Sequence, residues 1–92
     1  MIYRRTERFR KSFATLPKHI QEKAAKAFSL FQRDPNHPSL VVKKMKGKAG
    51  VWEGRVDETY RFTFHYDKDH VKGDTVCVFR NIGPHDILDG AP

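Results

Sequence analysis

Three groups of residues in this sequence could do chemistry. From Tyr60 to Tyr66 the residues alternate with a period of two, so Tyr60, Phe62, Phe64 and Tyr66 share one face and Arg61, Thr63 and His65 the other. An arginine on a rigid strand suits a phosphate, because its planar fork matches two phosphate oxygens. A solvated arginine pairing with Glu53 or Asp57 across a hairpin fits the spacing equally well. The second group is Lys43-Lys44-Met45-Lys46-Gly47-Lys48, with four ammonium groups in six residues. Strand alternation splits Lys43 from Lys44 and Lys46; the run reads either as a phosphate-tracking patch or as a solvated edge strand guarded against aggregation. The third is Arg80-Asn81-Ile82-Gly83-Pro84-His85-Asp86, where a titratable His follows a strand end, with an Arg five residues before it. Histidine is well matched to proton transfer near neutral pH, and Gly83-Pro84 would turn the chain sharply and hold His85 at the sheet's end. An ordinary surface-turn histidine is the competing reading.

Other chemistries find little support. Cys77 is the sole cysteine, which rules out an internal disulfide and a Cys-based zinc site; within Val76-Cys77-Val78-Phe79 it reads as a small buried hydrophobe. His19, His37, His65, His70 and His85 show no metal-ligand spacing, so neither a metal nor a cofactor is expected. There is no Gly-rich phosphate loop and no Gly-x-Ser-x-Gly elbow. Trp52 reads as core or sheet-edge packing, and few aromatics remain free to stack bases, which argues against a general single-strand binder.

Positioning these groups falls to a small α+β domain. Ninety-two residues leave room for one core, so residues 1–92 are expected to form a single domain. Ile2-Tyr3-Arg4 reads as an edge strand. Thr6 can cap a helix from Glu7 to about Thr15, and Pro17 opens a second helix running to about Arg33, with Ile20, Ala24, Ala27, Phe28 and Phe31 on one face. Asp34-Pro35-Asn36-His37-Pro38 breaks the helical pattern. Strands are expected over 40–45, 51–56, 60–66 and 76–82, with a hairpin turn at 57–59 and a short tail after Gly83-Pro84. The expected architecture is an N-terminal strand and helical hairpin packed on one face of an antiparallel sheet, the other face left open. Lys and Arg outnumber Asp and Glu by 18 to 11, a net charge of +7, and residues 1–33 hold nine of those cations against Glu7 and Glu22. Such an excess points to a polyanionic partner.

Val51-Trp52-Glu53-Gly54-Arg55-Val56-Asp57, Tyr60-Arg61-Phe62 and Val78-Phe79-Arg80-Asn81-Ile82-Gly83-Pro84-His85-Asp86 together resemble the RelE/ParE superfamily of bacterial toxins. The order of elements agrees with that family over nearly the whole chain, while the helical half matches in pattern only. The resemblance implies a microbial RNase-like fold and metal-independent cleavage of messenger RNA, often on the ribosome, by attack of a ribose 2′-oxygen on the adjacent phosphorus to leave a cyclic phosphate. Carried onto this sequence, Arg61 matches the arginine that holds the scissile phosphate, and Arg80 lies near a second family arginine. His85 falls at the general acid or base, Asp86 is placed to orient it, and Glu53 is a further candidate for the base. Lys43, Lys44, Lys46 and Lys48, with Arg55, fall to RNA contacts. The sequence departs from the family at Ile87-Leu88-Asp89, where many members carry an aromatic residue.

Two other functions fit the same resemblance. One is a ParE-like inhibitor of DNA gyrase; the other is a catalytically weak member kept for antitoxin and promoter binding. Arg61, Arg80 and His85 together favour the nuclease. The implied partners are a cognate antitoxin, messenger RNA and the ribosome, with operator DNA reached only through the antitoxin complex. A basic toxic surface is expected to be blocked by an acidic or amphipathic chain that folds as it binds. Charged residues from Met1 to Arg10, and the lack of an apolar run near the roughly 20 residues needed to cross a bilayer, lead to an expected cytoplasmic location without membrane contact.

Overall fold

The computed structural model describes residues 1–92. β1 (Ile2–Arg5) leads through Thr6 into α1 (Glu7–Thr15). The Thr6 hydroxyl accepts from the Phe9 N–H at 3.0 Å and donates to the Arg80 carbonyl at 2.7 Å, so the helix cap also ties the helix to the sheet. α2 (Lys18–Arg33) follows immediately after Pro17. Then come β2 (Lys43–Lys44), β3 (Trp52–Arg55), β4 (Tyr60–Lys68), β5 (Thr75–Pro84) and α3 (Ile87–Gly90). The five strands lie in the order β1-β5-β4-β3-β2. Neighbours in β2 to β5 are antiparallel as expected, whereas β1 pairs parallel with β5, giving the sheet one parallel edge. No helix is long and apolar enough to cross a membrane.

The helical hairpin covers one face through aromatic packing. Phe9, Phe31, Phe62, Phe64 and Phe79 are buried, and Phe31 meets Phe64 edge-on with ring centroids 4.9 Å apart. Burying each such ring contributes roughly 1.5–3 kcal/mol, which makes this cluster the main source of stability. Phe79 and Ile82 both enter this core although they stand three apart on β5, where simple alternation would put them on opposite faces. The pairing register shifts there: Phe64 faces Phe79 and Thr63 faces Asn81, leaving Arg80 as the extra residue of a β-bulge. The bulge lets both hydrophobes face inward while Arg80 and Asn81 face outward.

Three expectations need correction. The strand expected over 40–45 shrinks to Lys43–Lys44. Leu40 is instead buried at the end of a 3-10 turn, Pro38–Leu40, and Val41 takes a left-handed conformation with φ of 45°. Gly83-Pro84 does not turn the chain, because β5 runs through Pro84, which pairs with Tyr60. The face opposite the hairpin is open only in part: residues 87–92 fold back over β4 and β5, burying Leu88.

Candidate nucleic-acid interface

On that second face, strand register builds a ladder across four strands. Lys43 stands opposite Glu53, Glu53 opposite Thr63, and Thr63 opposite Asn81. The next row is Arg55, Arg61 and Gly83. Lys43 Nζ lies 3.9 Å from Glu53 Oε1. These positions follow from the three successive antiparallel pairings and hold the side chains on rigid backbone.

A cleft of about 440 Å³ opens beside the ladder. Lys43, Lys44, Lys46 and Glu53 line one part of it, His85 and Asp89 another. The backbone N–H of His85 donates to the Thr59 carbonyl at 3.0 Å, which anchors that histidine to the hairpin turn. Three of the lysines thus share one cleft although alternation separates them, because β2 is only two residues long and the chain turns immediately after it. Alternation still governs the charge of Lys44, whose ammonium lies 5.3 Å from the centroid of Trp52, a ring that stacks on Phe64 of the core. Chemically, the cleft combines a carboxylate able to take a proton, a histidine able to give one, and ammonium groups able to offset phosphate charge.

Other sequence-derived candidates lie outside it. Arg61 is only 6% exposed, and its Nη1 donates to the carbonyls of Asp57 at 2.6 Å and Tyr60 at 3.1 Å. The pairing with Asp57 therefore involves its backbone. The Asp57 carboxylate instead accepts from the N–H groups of Thr59 and Tyr60. Burial opposes ionisation of Asp57, but those N–H groups and Lys23 prevail and hold its pKa below the ordinary value. Arg80 is separated from His85: its Nη1 donates to His65 Nδ1 at 2.9 Å and its Nε to the Pro92 carbonyl at 3.3 Å. Asp86 caps α3 without a side-chain hydrogen bond, so no bond ties it to His85. Lys48 is exposed away from the cleft, and Arg55 borders a different groove, with Lys23 and Lys26.

Sequence reasoning passed over His65, Asn81 and Asp89 as site residues. His65 was visible as a facemate of Arg61. Nothing local marks Asn81, which reaches this face through the bulge and donates to the Ala91 carbonyl at 2.7 Å. Asp89 lines the cleft only because the chain folds back.

No protein-family model matches the chain, and no curated protein matches it by sequence. Solved structures do match its fold. A YoeB/ParE toxin from Agrobacterium tumefaciens superposes with a TM-score of 0.71 at 17% identity, covering 92% of this chain and 99% of that one. The RelB-RelE antitoxin-toxin complex from Methanococcus jannaschii matches at 0.68 and 19%, each chain covered to 100%. The toxin-antitoxin complex RelBE2 from Mycobacterium tuberculosis matches at 0.65 and 24%, over 91% of this chain and 96% of that one. The fold, three helices on a five-stranded mixed sheet, is that of the RelE/ParE toxins of toxin-antitoxin systems.

Proposed function

We propose that residues 1–92 act as the toxin of a toxin–antitoxin pair, a metal-independent endoribonuclease that cuts messenger RNA on the ribosome and so stops translation. The observation that carries this reading is the gathering of Lys43, Lys46, Glu53 and His85 around one cleft. Glu53 takes the proton of a ribose 2′-hydroxyl, and the 2′-oxygen bonds to phosphorus. The bond from phosphorus to the 5′-oxygen breaks, and protonated His85 supplies that oxygen's proton. The products are a 2′,3′-cyclic phosphate and a 5′-hydroxyl. Lys43 and Lys46 offset charge on the phosphoryl oxygens, while Arg61, buried and bonded to the Asp57 and Tyr60 carbonyls, braces the hairpin beside the cleft.

The same reading supplies a partner. Solved relatives of this fold from Methanococcus jannaschii and Mycobacterium tuberculosis are toxin–antitoxin complexes, and a net charge of +7 calls for an acidic chain as blocker. We assign this protein a cognate antitoxin, through which operator DNA is reached, and a cytoplasmic site of action.

The test is induced expression in bacteria with mapping of messenger RNA 5′ ends, comparing wild type with Glu53→Gln and His85→Ala. New ends inside translated messages, reduced about 10²-fold or more in both variants, are the expected result. Growth arrest with intact messages and broken DNA would transfer the assignment to a gyrase inhibitor.

A further inference from the structure

The segment that folds back from His85 brings three oxygen-bearing groups to this face, two of them in hydrogen bonds. Asp89 lines the cleft together with Lys43, Lys44 and Lys46, without an ion pair to any of them. The Ala91 carbonyl accepts from Asn81 Nδ2 at 2.7 Å, and the Pro92 carbonyl accepts from Arg80 Nε at 3.3 Å. Each offers oxygen to a group that also suits a phosphate oxygen. Beside Asn81 on the ladder, Thr63 is fully buried and its hydroxyl has no hydrogen-bond partner. Burying a hydroxyl without a partner is unfavourable, so this row is left incompletely satisfied by its cover.

The cover is held lightly. α3 has four residues, and Leu88 is its only buried side chain. Gly83 makes room for it, since a Cβ there would stand 2.7 Å from Ile87 Cγ2. Such a short helix has little stability of its own and depends on that packing.

We propose that residues 87–92 form a displaceable strap that competes with the phosphodiester backbone of RNA, and that its release opens an anion-binding row at Arg80, Asn81 and Thr63 continuous with the cleft. This inference rests on the nuclease reading, since it extends the path of the same RNA strand. The strap then sets affinity: the protein binds RNA in proportion to the fraction of time the row is open.

The experiment uses the full chain and a 2′-O-methyl RNA oligonucleotide, which cannot be cut by attack of its own 2′-oxygen. Binding is read by fluorescence anisotropy for wild type, Leu88→Ala and Asp89→Asn, and hydrogen exchange is followed at the amides of Asp89, Gly90 and Ala91. Both variants are expected to bind roughly threefold to tenfold more tightly. The three amides, bonded to Asp86 and Ile87 carbonyls in the free protein, are expected to exchange faster when the oligonucleotide is added. Asp89 is exposed, so Asp89→Asn with the exchange measurement carries the test should Leu88→Ala fail to fold. Wild-type binding with no gain in either variant, or with strap amides still protected in the complex, would overturn the strap and leave the nuclease reading standing. Absence of binding by all three proteins would remove both.

Discussion

Arg80 Nη1 donates a hydrogen bond to His65 Nδ1 over 2.9 Å. Arginine has no acceptor, so Nδ1 carries the lone pair and the neutral ring keeps its proton on Nε2. Burial, and then the positive charge of Arg80, hold the His65 pKa below the ordinary 6.5, with Asp67 opposing them. The unfolded chain therefore binds a proton at higher pH than the folded one. The resulting stability is fully present above 6.5 and falls as pH drops through 6.5 toward the folded value. An NMR titration of the histidine ring protons is expected to show His65 with a midpoint below 6.5, and His65→Gln to flatten that part of the stability profile. A midpoint at or above the ordinary value would contradict the arrangement.

Thr6 serves two elements at once, capping α1 and donating to the carbonyl of the bulged Arg80. Thr6→Ala is expected to cost more than an isolated cap, about 1–3 kcal/mol, because both the Phe9 N–H and the Arg80 carbonyl lose a partner. Urea unfolding measures this. Thr6→Ser, which keeps the hydroxyl, is expected to recover most of the loss.

Two glycines separate core from cover. A Cβ on Gly54 would run into the ring of Phe62, which is fully buried and cannot withdraw. Gly54→Ala is therefore expected to destabilise the fold by about 1–3 kcal/mol. Gly83→Ala meets only the Ile87 side chain of the strap. Its thermal midpoint is expected to stay near that of wild type, while amide exchange in residues 88–91 accelerates.

The cleft lysines act at different strengths. Lys44 engages Trp52, and Lys43 is partly drawn to Glu53, which leaves Lys46 with no ion pair. Lys46→Ala is expected to weaken RNA binding more than Lys44→Ala, and to reduce the slope of log affinity against log salt by about 0.7 for a single strand. Equal losses at both positions would mean that the Trp52 contact gives way when RNA binds.

Local signals were sufficient for elements whose residues interact with near neighbours in the chain. Helical periodicity placed α1 and α2, Thr6 marked its own cap, and period-two alternation placed the Tyr60–Tyr66 aromatics. The chemical types of the cleft were equally legible, because the basic run, Glu53 and His85 are visible as residues. Only the tertiary structure decided which of them meet. The parallel pairing of β1 with β5 joins residues more than seventy positions apart, and no local preference specifies it. The bulge at Arg80 arises because Phe79 and Ile82 must both enter one aromatic core, a requirement imposed by the packed helices. That adjustment turns Asn81 outward, and the fold-back of residues 87–92 then covers it, sets the Pro92 carbonyl against Arg80 Nε, and brings Asp89 into the cleft. Sequence supplied the charges and their spacing along each strand. Register, bulge and fold-back determined their neighbours, because those depend on burial shared between segments distant in the chain.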